Sequence, residues 1–348
     1  NTTGKIITTI GSSGDSVSSM ALQPDGKIVV VGSCYNGINN QFCLARYLPN
    51  GTLDTSFNGT GTVLTANGSF DDHTSATALQ PDGKIIVAGY CLSSYYNFCL
   101  ARYLPSGALD TSFNGTGSVI TDIGSVGWDQ AYATALQPDG KIVAVGTCSI
   151  DGKSKFCLAR YLASGVLDTS FNSSGKVITA IGLNDDFARA VALQPDGKIV
   201  AVGHCFIGGK YEFCLARYLP SGELDTSFIG TGKVTTAIGS GQAKAYSVAL
   251  QSDGKIVVVG TCDNGGPAGF CLARYEGGPF DARNCSMDID GDNRVLATTD
   301  VLISARVALG ITGNAVLAGI NFASHATRTT WPTIRDYLVS QCGMSIVP

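Results

Sequence analysis

Charge is scarce in this chain: 14% of its residues are Asp, Glu, Lys or Arg, and the net charge is −4. A nucleic-acid footprint needs clustered positive charge, and the 23 basic residues form no run, which argues against that partner class. Long apolar runs are missing too. Nothing approaches the roughly 18 consecutive apolar residues of a spanning helix, so no membrane span is expected. No export signal precedes the first strand-like run, and the chain reads as secreted with its signal peptide already removed. Histidine is rare, and His73, His204 and His325 stand at non-equivalent places, which removes most zinc arrangements. No nucleophile–His set or carboxylate pair with catalytic spacing appears, so no enzyme activity is expected.

What the sequence does have is repetition. Asp-Gly-Lys falls at Asp25, Asp82, Asp139, Asp196 and Asp253, five times at a spacing of 57. Phe-Cys-Leu-Ala-Arg-Tyr recurs at Phe42, Phe98, Phe156, Phe213 and Phe270, and Leu-Asp-Thr-Ser-Phe places its Asp at Asp54, Asp110, Asp168 and Asp225. In the third unit, residues 133–137 alternate, Pro138-Asp139-Gly140 is a tight turn, and 141–146 is β-branched, so the pair reads as a hairpin. Residues 156–162 and 176–181 supply two more strands. No helical apolar period occurs in the repeats. Four antiparallel strands per unit match the blade of a β-propeller.

The termini sharpen this. Lys5–Ile10 corresponds to the fourth strand of a unit, whereas the fifth unit stops after its third strand at Tyr275. The strand count balances if the N-terminal strand completes the last blade, closing a five-bladed ring and removing its open edges. The alternatives are an open array or a strand lent to a neighbour. The full pattern, from Leu-Asp-Thr-Ser-Phe through Ala-Leu-Gln-Pro-Asp-Gly-Lys to Phe-Cys-Leu-Ala-Arg-Tyr, resembles the delta-60 repeat of secreted bacterial proteins over roughly residues 4–275. That resemblance implies a propeller and export. It implies no catalytic residue set.

Ten of the twelve cysteines form one pair per repeat: Cys34 with Cys43, Cys91 with Cys99, Cys148 with Cys157, Cys205 with Cys214 and Cys262 with Cys271. Each pair brackets the loop between the second and third strands, whose ends lie side by side in a hairpin, so disulfides in an oxidising compartment are expected. Cys285 and Cys342 form the remaining pair and bracket a C-terminal segment. The expected division is 1–279 for the propeller and 280–348 for a small α-helical, disulfide-closed module.

That module opens with Asp288-Ile-Asp290-Gly-Asp292-Asn293-Arg294. Carboxylates at positions 1, 3 and 5, with the Arg294 backbone carbonyl at position 7, have the spacing of an EF-hand calcium loop. Asp300 stands one residue late for the closing ligand, where Thr299 occupies position 12. One structural calcium ion is expected at Asp288, Asp290, Asp292, Arg294 and Asp300. Helices are expected over Val301–Leu309 and from Pro332 to about Gln341. The segment resembles a dockerin-like module over roughly 285–342, but with a single loop, so cohesin binding does not carry over.

Comparison of the copies locates their differences. The first turn and the Asp-Thr-Ser-Phe connection scarcely vary, whereas the loops inside the disulfides and the fourth-to-first connections do. The two variable classes are expected on one face of the blades, where a rigid scaffold carries binding loops. Tyr35, Tyr95, Tyr96, Trp128, Phe206 and Tyr211 are the aromatic candidates there. Arg46, Arg102, Arg160, Arg217 and Arg274, one per repeat, read as structural partners of an Asp or a loop carbonyl. Two functions remain open: an extracellular structural or assembly protein that self-associates or joins another extracellular protein, and an adhesin or lectin-like propeller binding glycan or protein.

Overall fold

β-Branched runs set off by Pro-Asp-Gly turns leave the chain few options other than short antiparallel strands. A computed structural model describes residues 4–124, 127–277, 303, 313–322 and 329–340. The first strands of the repeats are β1 (Ser13–Leu22), β5 (Asp72–Leu79), β9 (Gln130–Leu136), β13 (Asp186–Leu193) and β17 (Ala243–Leu250). The second strands are β2 (Ile28–Tyr35), β6 (Ile85–Leu92), β10 (Ile142–Ile150), β14 (Ile199–Ile207) and β18 (Ile256–Cys262). Third come β3 (Asn40–Tyr47), β7 (Tyr96–Tyr103), β11 (Lys153–Tyr161), β15 (Lys210–Tyr218) and β19 (Gly269–Tyr275). The short fourth strands are β4 (Thr62–Thr65), β8 (Ser118–Thr121), β12 (Lys176–Thr179) and β16 (Lys233–Thr236). They form four four-stranded antiparallel sheets and a three-stranded fifth, β17-β18-β19.

The turns follow their chemistry. Gly26 amide donates to the Gln23 carbonyl at 2.9 Å, and Gly26 takes φ +80°, a value that glycine adopts without steric cost. In the third repeat the second hairpin turns on Asp151 (φ 50°) and Gly152 (φ 72°), both left-handed as a type I′ turn requires. Asn58 and Asn114 likewise sit at positive φ.

Each internal sheet is buried on both faces, so its strands read as near-continuous apolar runs. Val29, Val31, Phe42 and Leu44 of the first sheet interleave with Ile85, Val87, Cys91, Cys99 and Tyr103 of the second. Ile86, Ala88, Phe98 and Leu100 meet the equivalent back face of the third, and Val143, Val145, Phe156 and Leu158 that of the fourth.

The five expected disulfides within the repeats join second and third strands. Cα–Cα distances are 5.8 Å for Cys34–Cys43, 5.5 Å for Cys91–Cys99 and 5.7 Å for Cys148–Cys157. They are 5.9 Å for Cys205–Cys214 and 5.8 Å for Cys262–Cys271. One detail of the expectation is corrected by the strand register. The two cysteines of a pair do not stand side by side across the hairpin. Cys43 faces Gly32, and Cys34 faces Gln41. Cys157 faces Gly146 in the same way, and Cys148 faces Lys155. Each of these bonds is therefore diagonal on one face. Cys34 and Cys43 are buried, as are the pairs of the next three repeats, so these bonds are part of the core. They place the chain in an oxidising compartment.

The array's two ends differ from its middle. Lys5–Ile10 carries no strand pairing, and the fifth sheet has three strands among the described residues. Ile10 amide donates to Asp15 at 2.7 Å, as Asn67 does to Asp72 and Ile181 to Asp186, so the segment enters its sheet as the other fourth-to-first connections do.

The chain divides into two compact units. The second contains 194–196, 250–256 and everything from Arg274. Within it, helix α1 (Trp331–Ser340), close to the expected span, packs Trp331 and Ile334 with Ile303 and Val316. The expected helix over Val301–Leu309 lies, apart from Ile303, outside the described residues. No helix among the described residues is long and apolar enough to cross a membrane.

Candidate functional site

The two ends of each sheet have different chemistry. At the invariant end, Arg46 Nε donates to Asp54 at 2.9 Å, Asp54 also accepts from Ser56 Oγ at 2.6 Å, and the guanidinium lies 4.5 Å above the Phe57 ring. A second guanidinium nitrogen reaches the Pro105 carbonyl in the next repeat. Arg102–Asp110, Arg160–Asp168 and Arg217–Asp225 repeat the ion pair at 2.8 Å. The Ser56 hydroxyl and Arg46 help to hold the Asp54 carboxyl below its ordinary range despite burial, and the other copies behave alike. In these four copies each Arg is paired with its Asp, so this end is framework. The expected pairing of the repeated Arg with an Asp or a loop carbonyl is observed: all four of these arginines meet their Asp, and Arg46, Arg102 and Arg160 also reach a carbonyl of the next repeat.

At the opposite end the two variable loop classes meet. Asn40 amide, at the end of a disulfide loop, donates to Asp71 in a fourth-to-first connection at 2.7 Å. Ser154 amide donates to Asp185 at 2.8 Å, and Tyr211 amide to Gln242 at 2.8 Å. Beneath these loops Asp72, Asp129 and Asp186 are buried, each accepting backbone amides of the connection before it. Burial raises their carboxyls above the usual range, and the amide bonds work against that shift.

A backbone irregularity aims side chains into this end. The first strands carry a β-bulge: pairing jumps between Thr74 and Ala76, between Ala133 and Ala131, and between Ala188 and Ala190. The partner strand makes room with glycine. A Cβ at Gly146 would stand 1.9 Å from the Gln130 carbonyl oxygen, and one at Gly203 would stand 1.8 Å from that of Phe187. The bulged residue escapes the alternation of the strand and is re-aimed. In successive repeats it is Ser18, Ser75, Tyr132 and Arg189, with Tyr246 next by sequence.

Around these positions stands an aromatic cluster threaded with cations. Tyr90 stacks on His73 at 5.0 Å, lies edge-on to Tyr96 at 5.2 Å and approaches Tyr132 at 6.4 Å. The Arg189 guanidinium sits 4.1 Å over Tyr132 and 5.5 Å from Phe187. His204 contacts Phe187, Tyr211 and Tyr246, and Lys244 lies 4.8 Å over Tyr211. Burial first, then the Arg189 and Lys244 charges, push the His204 imidazole down to about 4.

Of the six aromatic residues expected on the variable face, Tyr96 and Trp128 meet at 6.0 Å, with Trp128 64% exposed, and Phe206 meets Tyr211 at 5.3 Å. Tyr95 is exposed and Tyr35 is half-buried; neither has a ring contact in the cluster. Sequence reasoning missed His73, Tyr90, Tyr132, Phe187, Arg189, His204, Lys244 and Tyr246. For Tyr132, Arg189 and Tyr246 the signal was present as a column of the repeats, Ser-Ser-Tyr-Arg-Tyr, that varies inside the first strand. The repeat cysteines, Cys34 and Cys43 among them, are all disulfide-bonded and supply no free thiol to the site. Among the described residues no cluster of side chains could hold a metal. The expected calcium ligands Asp288, Asp290, Asp292, Arg294 and Asp300, and the pair Cys285–Cys342, lie outside the described residues.

Five segments, 23–57, 80–113, 137–171, 194–228 and 251–277, match the family model described as a domain of unknown function (DUF5122) beta-propeller. Residues 4–38 match the WD domain, G-beta repeat. No curated protein matches the chain. Solved structures similar to it include a periplasmic gluconolactonase of Pseudomonas aeruginosa, 16% identical over 74% of this chain and 72% of that one, with a TM-score of 0.42. An ulvan lyase of polysaccharide lyase family PL25 is 11% identical over 74% and 67%, with a TM-score of 0.46. The extracellular domains of Drosophila Semaphorin 1b are 11% identical over 80% and 54%, with a TM-score of 0.37.

Proposed function

We propose, from the premise that these repeats belong to the DUF5122 β-propeller repeat family, that the protein is a non-enzymatic extracellular assembly protein. Its repeat array is completed by contact between its own two kinds of end. The observation that carries this reading is the state of the fifth sheet. Phe42, Phe98, Phe156 and Phe213 are 0% exposed, whereas the equivalent Phe270 is 102% exposed. Val259 and Leu272 are open with it, and together with Tyr246 they line a groove of about 420 Å³. At the other end, Val17 is 74% exposed where its equivalents Ala131, Ala188 and Ala245 are fully buried. Each end thus offers the apolar face that the other end's counterpart covers at every internal junction. By sequence Lys5–Ile10 corresponds to the fourth strand of a unit, and β19 has no fourth-strand partner among the described residues.

Supplied by a neighbouring copy, this contact is heterologous and propagates head to tail into a fibre. Supplied by the same chain, it closes a five-bladed ring. Negative-stain microscopy and light scattering across a concentration series separate the two. The assembly reading expects concentration-dependent filaments or oligomers that Phe270→Ser abolishes. Monodisperse rings at every concentration end it, leaving a closed propeller monomer.

A second reading is favoured by the aromatic and cationic cluster of the variable face: an adhesin or lectin-like propeller. Large rings and unpaired cations gathered where the repeats differ are what recognition of a polar, flat-faced ligand requires. A glycan array and pull-downs from extracellular extracts test it, and a blank at high protein concentration ends it.

A further inference from the structure

The four arginines Arg46, Arg102, Arg160 and Arg217 are each ion-paired at 2.8–2.9 Å. Arg189 is different. Its guanidinium lies half-buried between the rings of Tyr132 and Phe187, and its Nε is enclosed with no hydrogen-bond acceptor among the described residues. Among the described residues Lys244 is held only by the face of Tyr211, at 4.8 Å. The nearby Asp185 carboxylate accepts from the Ser154 amide and forms no ion pair with either cation among the described residues. Two cations therefore act on His204 without an ion-pair partner of their own among the described residues, in a chain whose net charge is −4. Half-buried charge without a counter-charge is costly to keep, and an anionic ligand offsets that cost.

We propose that Arg189 and Lys244, framed by Tyr132, Phe187, Tyr211 and Tyr246, form a subsite for a carboxylate-bearing sugar ring, a hexuronate unit of an acidic polysaccharide. A guanidinium fork matches a carboxylate in two-point geometry that no neutral sugar offers. The surrounding rings present flat apolar faces suited to the C–H face of a pyranose, an area that a small carboxylate such as acetate leaves unused. The bulge explains how the site was built. The invariant glycine fixes the backbone, while the re-aimed residue is serine in the first two repeats and Tyr132 and Arg189 in the next two.

This inference rests on the second reading of function and names its ligand class. The test is calorimetric titration of the whole chain with oligogalacturonate, its methyl ester and acetate. The acid oligomer is expected to bind at least about tenfold more tightly than the uncharged ester, and raised salt is expected to weaken it. Arg189→Ser installs the residue that Ser18 and Ser75 provide, so the fold tolerates it; this variant is expected to lose at least about tenfold in affinity for the acid alone. An anion seated beside Arg189 also favours the protonated imidazole, so the His204 resonances are expected to titrate at higher pH with ligand bound. Equal binding of acid and ester, equal binding of acetate, or full affinity in Arg189→Ser overturns the proposal. Binding of neutral glycans only would leave the second reading standing and end this one. No binding of any glycan ends both.

Discussion

A neutral imidazole held between two cations resists protonation, and His204 is such a group. Its pKa lies near 4, lowered first by burial and then by Arg189 and Lys244. In the unfolded chain the ring titrates near 6.5. Between those values the unfolded state binds the proton and the folded state does not, so stability falls as pH drops from about 6.5 toward 4. The loss is on the order of 3 kcal/mol. His204→Thr, the residue that Thr147 and Thr261 supply in neighbouring repeats, is expected to flatten that part of the profile in thermal melts from pH 7 to 4.5. The framework charges respond differently. Asp168 accepts from Arg160 Nε at 2.8 Å, and both side chains are nearly enclosed. Asp168→Ala strands the guanidinium, and a loss of about 3–5 kcal/mol is expected in chemical denaturation. Both roles depend on what surrounds the residue, and only the repeated Arg and Asp advertised theirs by recurring in register.

The strand hairpins are the next scale. Each second and third strand is tied by a disulfide across loops as short as Asp151-Gly152, with a sequence separation of 9 for Cys148–Cys157. Closing so short a loop is worth about 2.5–3 kcal/mol in the chain-entropy account. Replacing Cys148 and Cys157 together by serine is expected to cost that much plus the packing of two buried sulfurs, read as a shift in the denaturation midpoint. The hairpins were legible because turn chemistry and β-branched runs are local signals. Which cysteines pair was legible for the same reason. That Cys43 lies opposite Gly32, one diagonal step from Cys34, was not, because it depends on strand register. The bulge was not legible either. Ala131 and Leu136 enter the same core cluster although strict alternation puts residues five apart on opposite faces. One extra residue at Tyr132 reverses the parity, and a reading that assumes period two sends Tyr132 to the wrong face.

For the whole molecule, repetition set the limits of both success and failure. The repeats, their sheets and their disulfides were readable because one pattern occurs five times, each copy supplying the face that the next copy covers. The C-terminal portion has no such redundancy. Calcium at Asp288, Asp290 and Asp292 remains a proposal supported by carboxylate spacing. Chelation with EDTA is expected to lower the melting of that portion and leave the repeat transition unchanged, with Asp290→Asn reproducing the effect; a melt indifferent to calcium discards the site. The sequence by itself determined the strand order, the cysteine pairing within repeats and the separation of constant from variable loops, because these follow from local turn chemistry and recurrence. Only the tertiary structure decided that Arg189, Lys244 and His204 converge, and that the faces at Val17 and Phe270 stand open. Convergence is set by bulged backbone and by neighbouring sheets, and neither appears in the spacing of residues along a single strand.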